Sequence, residues 1–160
     1  MFSLRSRVAL VSGGGTGIGA ALAQALAEAG ARVVIAGRRL EPLQATAARI
    51  NAAVADSGEE AKCFALACDV ADLDAADSIV EQAAALAGGP PVLLLNNAGV
   101  NVRQPAAELT AEHWRQSLDL MLAAPAFLAR ACAPGMAAAG YGRTVALDAE
   151  DGSVHFLDTS

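Results

Sequence analysis

Val8-Ala9-Leu10-Val11-Ser12-Gly13-Gly14-Gly15-Thr16-Gly17-Ile18-Gly19 is an apolar run that breaks into glycines and then opens the helical pattern Ala20 to Ala29. A strand, a glycine turn and a helix start in that order leave several backbone N–H groups unpaired at a helix N-terminus, which is a ready seat for an anion. Glycine serves there because some turn positions need φ > 0 and because a Cβ would hold a diphosphate away from the backbone. The spacing is Gly13-x-x-x-Gly17-x-Gly19 rather than the simple Gly-x-Gly-x-x-Gly. The stretch therefore reads as a phosphate cradle formed by Gly13, Gly15, Thr16, Gly17, Ile18 and Gly19. Thr16 has two uses open to it, donating its hydroxyl to a phosphate oxygen or capping the helix.

Outward from this turn, apolar runs alternate with helix-period segments along the chain. Strand-like runs cover Arg7 to Val11, Arg32 to Ala36, Lys62 to Ala67 and Pro91 to Leu95; helical patterns cover Ile18 to Ala29, Glu41 to Val54, Leu73 to Ala87 and Ala111 to Ala133. Such alternation predicts an α/β, doubly wound parallel sheet of about five strands with helices on both faces. The strands are Val/Leu/Ala runs without polar alternation, as burial on both faces requires. Turn residues mark the boundaries at Gly30, Gly37, Ser57-Gly58, Gly88-Gly89-Pro90-Pro91 and Gly99, with no long linker, so residues 1–160 are expected to form one domain. Thr110, with Glu112 after it, is placed to start the long helix, and Pro134-Gly135 is expected to end it.

Composition narrows the partners. The formal charge of −6 and eleven scattered Lys and Arg residues argue against a nucleic-acid surface. The most apolar stretch, Met121 to Gly140, carries Pro125, Arg130 and Pro134, so it reads as a core-facing helix rather than a membrane span. Cys63, Cys68 and Cys132 have no metal-ligand spacing and are expected to be reduced, buried thiols of a cytoplasmic protein; no metal site is predicted. His113 and His155 form no pair at catalytic or ligand spacing.

Ligands of such sheets lie at the carboxyl ends of the strands, and three further strand ends carry candidate residues. After the second strand stand Gly37, Arg38 and Arg39, where a domain preferring NAD offers a carboxylate to the ribose 2′-hydroxyl; a 2′-phosphate would meet cations here, which favours NADP over NAD. Asp69, followed by Val70, is placed either to accept from an adenine amine or to cap the next helix. Asn97, Ala98 and Gly99, after Asn96, let the backbone pass close to a ribose and nicotinamide while the two amides tie adjacent strands together.

Taken together, Ser12 to Gly19, Gly37-Arg38, Asp69-Val70 and Asn96-Asn97-Ala98-Gly99 resemble the short-chain dehydrogenase/reductase family, classical type, in its amino-terminal portion. Trp114 and the segment Met136 to Val145 also resemble the family's later helix and its Gly-Arg-Ile-Val strand. The resemblance implies a Rossmann sheet with further strands after these and hydride transfer between NAD(P) and an alcohol or carbonyl. It also implies a homo-oligomer formed through the 111–133 helix, with an apolar stripe of Leu118, Leu122, Phe127 and Leu128 facing solvent or a partner.

The sequence departs from the family where its chemistry resides. Family catalysis uses a Tyr-x-x-x-Lys pair with Ser and Asn, because an unassisted tyrosine near pKa 10 is a poor base at neutral pH. The one tyrosine, Tyr141, has Val145 four residues on, and the one lysine, Lys62, lies in an early strand, so no catalytic residue is assigned. The pair is expected beyond Ser160, which makes the chain the amino-terminal part of an oxidoreductase, inactive by itself; the alternative is a catalytically silent NADP-binding or protein-interaction domain. Met121 stands where the family has its Asn. For the Ser, one register through Gly142-Arg143-Thr144-Val145 points to Asp148-Ala149, and another through Gly152 to Leu157 points to Thr159 or Ser160. The tail also reads as a hairpin of Thr144 to Ala149 and Ser153 to Leu157 about Glu150-Asp151-Gly152.

Overall fold

In the computed structural model, residues 3–55, 62–100, 105–147 and 154–157 are described. Strand β1 (Val8–Ser12) is buried at every position and pairs in parallel with β2 (Arg32–Gly37) on one side and β4 (Leu93–Asn96) on the other. Strand β3 (Cys63–Ala67) lies beyond β2, and β5 (Arg143–Leu147) beyond β4. The chain thus leaves β1 toward one edge and returns to the other, and the crevice at that switch point opens at the strands' carboxyl ends.

The two faces of the sheet are covered as strand alternation dictates. Ala9 and Val11 face α1 (Gly17–Glu28) and α2 (Leu40–Ala55), packing with Ala23, Ala27, Leu43 and Ile50. Val8 and Leu10 face α3 (Ala76–Ala87) and α5 (Ala124–Ala138), packing with Ile79, Ala83, Leu128 and Cys132. A 3-10 turn, Leu73–Ala75, leads into α3, so the helix predicted over 73–87 is present with a tighter start.

Three expectations are corrected. The helix read as one pattern from Ala111 is α4 (Ala111–Leu118), a π-helical turn (Asp119–Ala123) and then α5. Thr110 does cap α4, its Oγ1 accepting from the His113 N–H at 3.2 Å. The helix also runs through Pro134 to Ala138. A proline costs the helix one N–H bond and crowds the carbonyl one turn back, but here the following turn is held from outside. Met136 is buried in the core, and Gly135 lies so close to Pro90 that a Cβ would meet its ring at 2.7 Å. The stop comes at Gly140 (φ 60), where the Gly140 N–H donates to Ala137 O and the Tyr141 N–H to Met136 O, both at 3.1 Å.

Leu128 is the second correction. It is buried on β4's side of α5, whereas Leu118, Leu122 and Phe127 are exposed as expected. By length and composition the run Ala111–Ala138 would suffice to cross a membrane, with mean hydropathy 1.4 in its most apolar window, and its face with Ala124, Leu128, Cys132 and Met136 packs into the protein.

The third correction concerns the sheet's edge. A sixth strand, β6 (Val154–Leu157), pairs antiparallel with β5, so the sheet is parallel through β5 and ends in the hairpin that the tail had suggested. β5 lies beside β4 with Leu93 opposite Arg143, which fits the register through Gly142-Arg143-Thr144-Val145 and removes the one that used Gly152 to Leu157 as that strand. Asp148, Ala149, Thr159, Ser160, the turn Glu150-Asp151-Gly152 and the boundary Ser57-Gly58 lie outside the described residues.

Candidate functional site

Four strand ends and their loops converge on a cleft of about 330 Å³. Its walls bring together Gly13, Gly15, Thr16, Arg38, Arg39, Asp69, Val70, Asn97, Ala98 and Gly99. Of the sequence-predicted residues, Gly17, Ile18 and Gly19 do not line it: they form the first turn of α1, with the Ile18 side chain 65% exposed. Gly19 is instead a packing position, since a Cβ on it would meet Gly13 O at 2.3 Å. Gly13 has φ 67, and a Cβ there would meet Asn97 Nδ2 at 2.9 Å. The loop can therefore fold this tightly only without side chains, and the cradle stays open.

Thr16 occupies the N-cap position of α1 with extended backbone but makes no capping hydrogen bond, so its hydroxyl is left on the cleft wall. No acidic residue stands in the helix's first turn. The N-terminus of α1, which starts from Thr16 on the cleft wall, therefore carries the positive end of its dipole without an internal counter-charge. Arg38 and Arg39 add two cations, and Asp69 is the one carboxylate among the described lining residues. Asp69 lines the cleft, and its Oδ1 accepts from the Ala71 N–H at 3.0 Å, which holds the turn ahead of Leu73 rather than capping α3, whose N-cap is Ala75.

The loop after β4 is tied to β1 by groups that the motif reading had undervalued. Ser12 Oγ, 2% exposed, accepts from the N–H groups of Asn97 and Ala98 at 3.1 Å each. Asn97 Nδ2 in turn donates to Ser12 O and Gly13 O at 3.1 and 3.2 Å. Only one of the two asparagines makes this tie; Asn96 is buried with neither side-chain polar atom hydrogen-bonded. Thr46 Oγ1 donates to Gly15 O at 2.8 Å and so anchors the glycine loop to α2. Sequence reasoning missed Thr46, although it lies on the same helix stripe as Leu43, Ala47, Ile50 and Val54, where a lone hydroxyl signals a buried partner.

Gly37, Pro42, Leu43, Cys68 and Leu120 also line the cleft. Burial pushes the Cys68 thiol up to about 11, and those of Cys63 and Cys132 up to about 12, so all three are neutral thiols near neutral pH. Cys63 and Cys132 are buried free thiols, whereas Cys68, expected to be buried, is only half-buried because it lies on the cleft wall. Met121, in the π-helical turn, reaches Gly99, its methyl 4.0 Å from where a Cβ would stand. Tyr141 and Lys62 precede β5 and β3, at the opposite ends of the strands from the cleft. Tyr141 there stacks between Arg7 and Arg143, 4.0 and 5.2 Å from its ring centre.

The family model described as short chain dehydrogenase matches residues 7–159. Gluconate 5-dehydrogenase of Gluconobacter oxydans (strain 621H) is 35% identical to this chain over 147 residues, which are 91% of the chain and 54% of that protein. The L-sorbose reductase of Gluconobacter frateurii, solved with NADPH and L-sorbose, superposes with a TM-score of 0.80 at 30% identity, covering 91% of this chain and 53% of that one. A metagenomic short-chain oxidoreductase solved with NADP gives a TM-score of 0.81 at 34% identity, covering 94% and 65%. The chain spans about half the length of the curated relatives it matches.

Proposed function

Because the chain belongs to the short chain dehydrogenase family, we propose that residues 1–160 form one dinucleotide-binding unit of an oxidoreductase that moves a hydride between NADP and an alcohol or carbonyl. The observation that carries this is the cleft itself, where a side-chain-free glycine loop at a helix N-terminus, two arginines at the end of β2 and the loop after β4 face one space. The NADPH of the L-sorbose reductase and the NADP of the metagenomic enzyme lend support.

The roles follow from the chemistry of each wall. Backbone N–H groups of the loop and of the first turn through Gly17, Ile18 and Gly19 hold a diphosphate, with the Thr16 hydroxyl as a further donor. Arg38 and Arg39 take the 2′-phosphate, which no carboxylate at the end of β2 repels. Asp69 accepts from the adenine amine, and Val70 packs beside the base. Asn97, Ala98 and Gly99 let the backbone pass along the ribose and nicotinamide. Bound there, the nicotinamide ring supplies or takes up the hydride. Tyr141 and Lys62 are remote from this cleft, so the proposal is that the 160-residue chain alone binds the dinucleotide without turning over a substrate. The exposed face of Leu118, Leu122 and Phe127 is proposed to pair with a second copy.

Titration of NADPH and NADH into the wild-type chain and Arg38→Asp tests this. Wild type is expected to prefer NADPH, and the variant to lose about tenfold to hundredfold for NADPH with little change for NADH. Equal losses overturn the 2′-phosphate assignment, and a wild-type chain that binds neither overturns the function.

A further inference from the structure

At the far end of the strands from the cleft, a cavity of about 380 Å³ lies between the end of α5 and the start of β5. Ala133, Met136 and Ala137 of α5 give it an apolar wall, and Tyr141 and Arg143 line it from the chain that enters β5. Its volume falls within the range of about 300–1,000 Å³ that holds small organic ligands.

The charge here is of one sign. Arg143 is the one ionised side chain among the described lining residues. Its Nη1 donates to Gly142 O at 2.7 Å, which orients the guanidinium, and a planar group with five donors serves more than one acceptor. A second guanidinium, that of Arg7, lies 4.0 Å from the centre of the Tyr141 ring, with Arg143 5.2 Å from the same centre. Among the described residues the Tyr141 ring is the one side-chain partner of Arg7. Two cations held on one ring favour an anion beside it. α5 ends next to this cavity, and its dipole opposes an anion with about half a charge. Met136 O and Ala137 O are already taken by the N–H groups of Tyr141 and Gly140, and two full positive charges outweigh what is left.

We propose that this cavity binds a monocarboxylate with a short aliphatic tail, its carboxylate on the fork of Arg143 in the field of Arg7 and its tail along Ala133, Met136 and Ala137. A carboxylate matches a guanidinium edge to edge, and an alkyl tail matches the methyl and thioether surface of the wall. Inorganic phosphate satisfies the charge and leaves the wall uncovered; a neutral alcohol does the reverse. The site stands apart from the dinucleotide reading, because none of its lining residues lines the cleft.

Calorimetry with octanoate, acetate, octanol and inorganic phosphate tests this on the 160-residue chain. Octanoate is expected to bind the wild type at least about tenfold more tightly than each of the other three, a comparison that needs no variant. Arg143 and Ala137 are exposed, so Arg143→Gln and Ala137→Phe keep the fold, which a thermal melt checks. Each is expected to weaken octanoate by about tenfold, the first by removing the fork and the second by filling the apolar wall; Arg7→Gln weakens it by about twofold to fivefold. Leu122→Glu, on the other exposed apolar surface, is expected to leave octanoate unchanged, which separates the cavity from adsorption there. Octanoate binding that is absent, matched by acetate, octanol or phosphate, unchanged in Arg143→Gln or lost in Leu122→Glu overturns the proposal. NADPH titration of the same variants reads the cleft independently, and equal affinity in all of them is the expected result.

Discussion

Ser12 and Thr144 are both hydroxyls buried in the sheet at 2% exposure, and they differ in what they hold. Ser12 Oγ accepts two backbone N–H groups from the loop after β4, while Thr144 Oγ1 has no partner. Removing an acceptor that satisfies buried donors strands those donors, whereas removing an unpaired hydroxyl strands nothing. Ser12→Ala is therefore expected to lose about 2–4 kcal/mol, and Thr144→Val to be neutral or stabilising. Urea unfolding of the two variants checks this, and equal losses would contradict the assignment. The same contrast separates the adjacent asparagines. Asn96 shares the strand face of Leu94 and points toward α3 and α5, while Asn97, just past the strand end, turns toward β1. Sequence spacing identifies the pair; only strand alternation assigns the tie to one of them.

At the scale of the element, the helix from Ala111 shows where local signals hold and where they yield. Thr110 was legible as a cap because capping depends on a side chain and an N–H three residues on. Pro134 misled because the cost of a proline is local, while what offsets it is not: a buried Met136 and a glycine seated against Pro90. The left-handed end at Gly140 has open space around its Cα, so nothing but backbone strain opposes a side chain there. Gly140→Ala is thus expected to cost about 1–2 kcal/mol with the cleft unaffected. Chemical denaturation checks the first part, and NADPH affinity equal to wild type checks the second.

Across the whole molecule, one surface stands out. Leu118 and Leu122 of the α4 side, with Phe127 on α5, are exposed at 37%, 66% and 39%. Large apolar side chains left exposed in this way favour association. The chain is expected to self-associate with rising concentration, and Leu122→Glu to shift it toward monomer without lowering stability. Light scattering across a concentration series decides this, and a wild-type chain that stays monomeric would rule the interface out. The edge of the sheet is also a whole-molecule matter. Residues 148–153 separate β5 from β6, too short a link for a parallel crossover, so β6 returns antiparallel.

The order of strands and helices, the glycine cradle and the charges at the end of β2 were determined by the sequence alone, because periodicity and backbone permissiveness act over a few residues. Which groups meet across the fold was decided only by the tertiary structure. Ser12 clasping the loop after β4 and Thr46 anchoring Gly15 both join residues far apart in the chain. Such pairings depend on how the twisted sheet and its covering helices pack, and no local pattern carries that information.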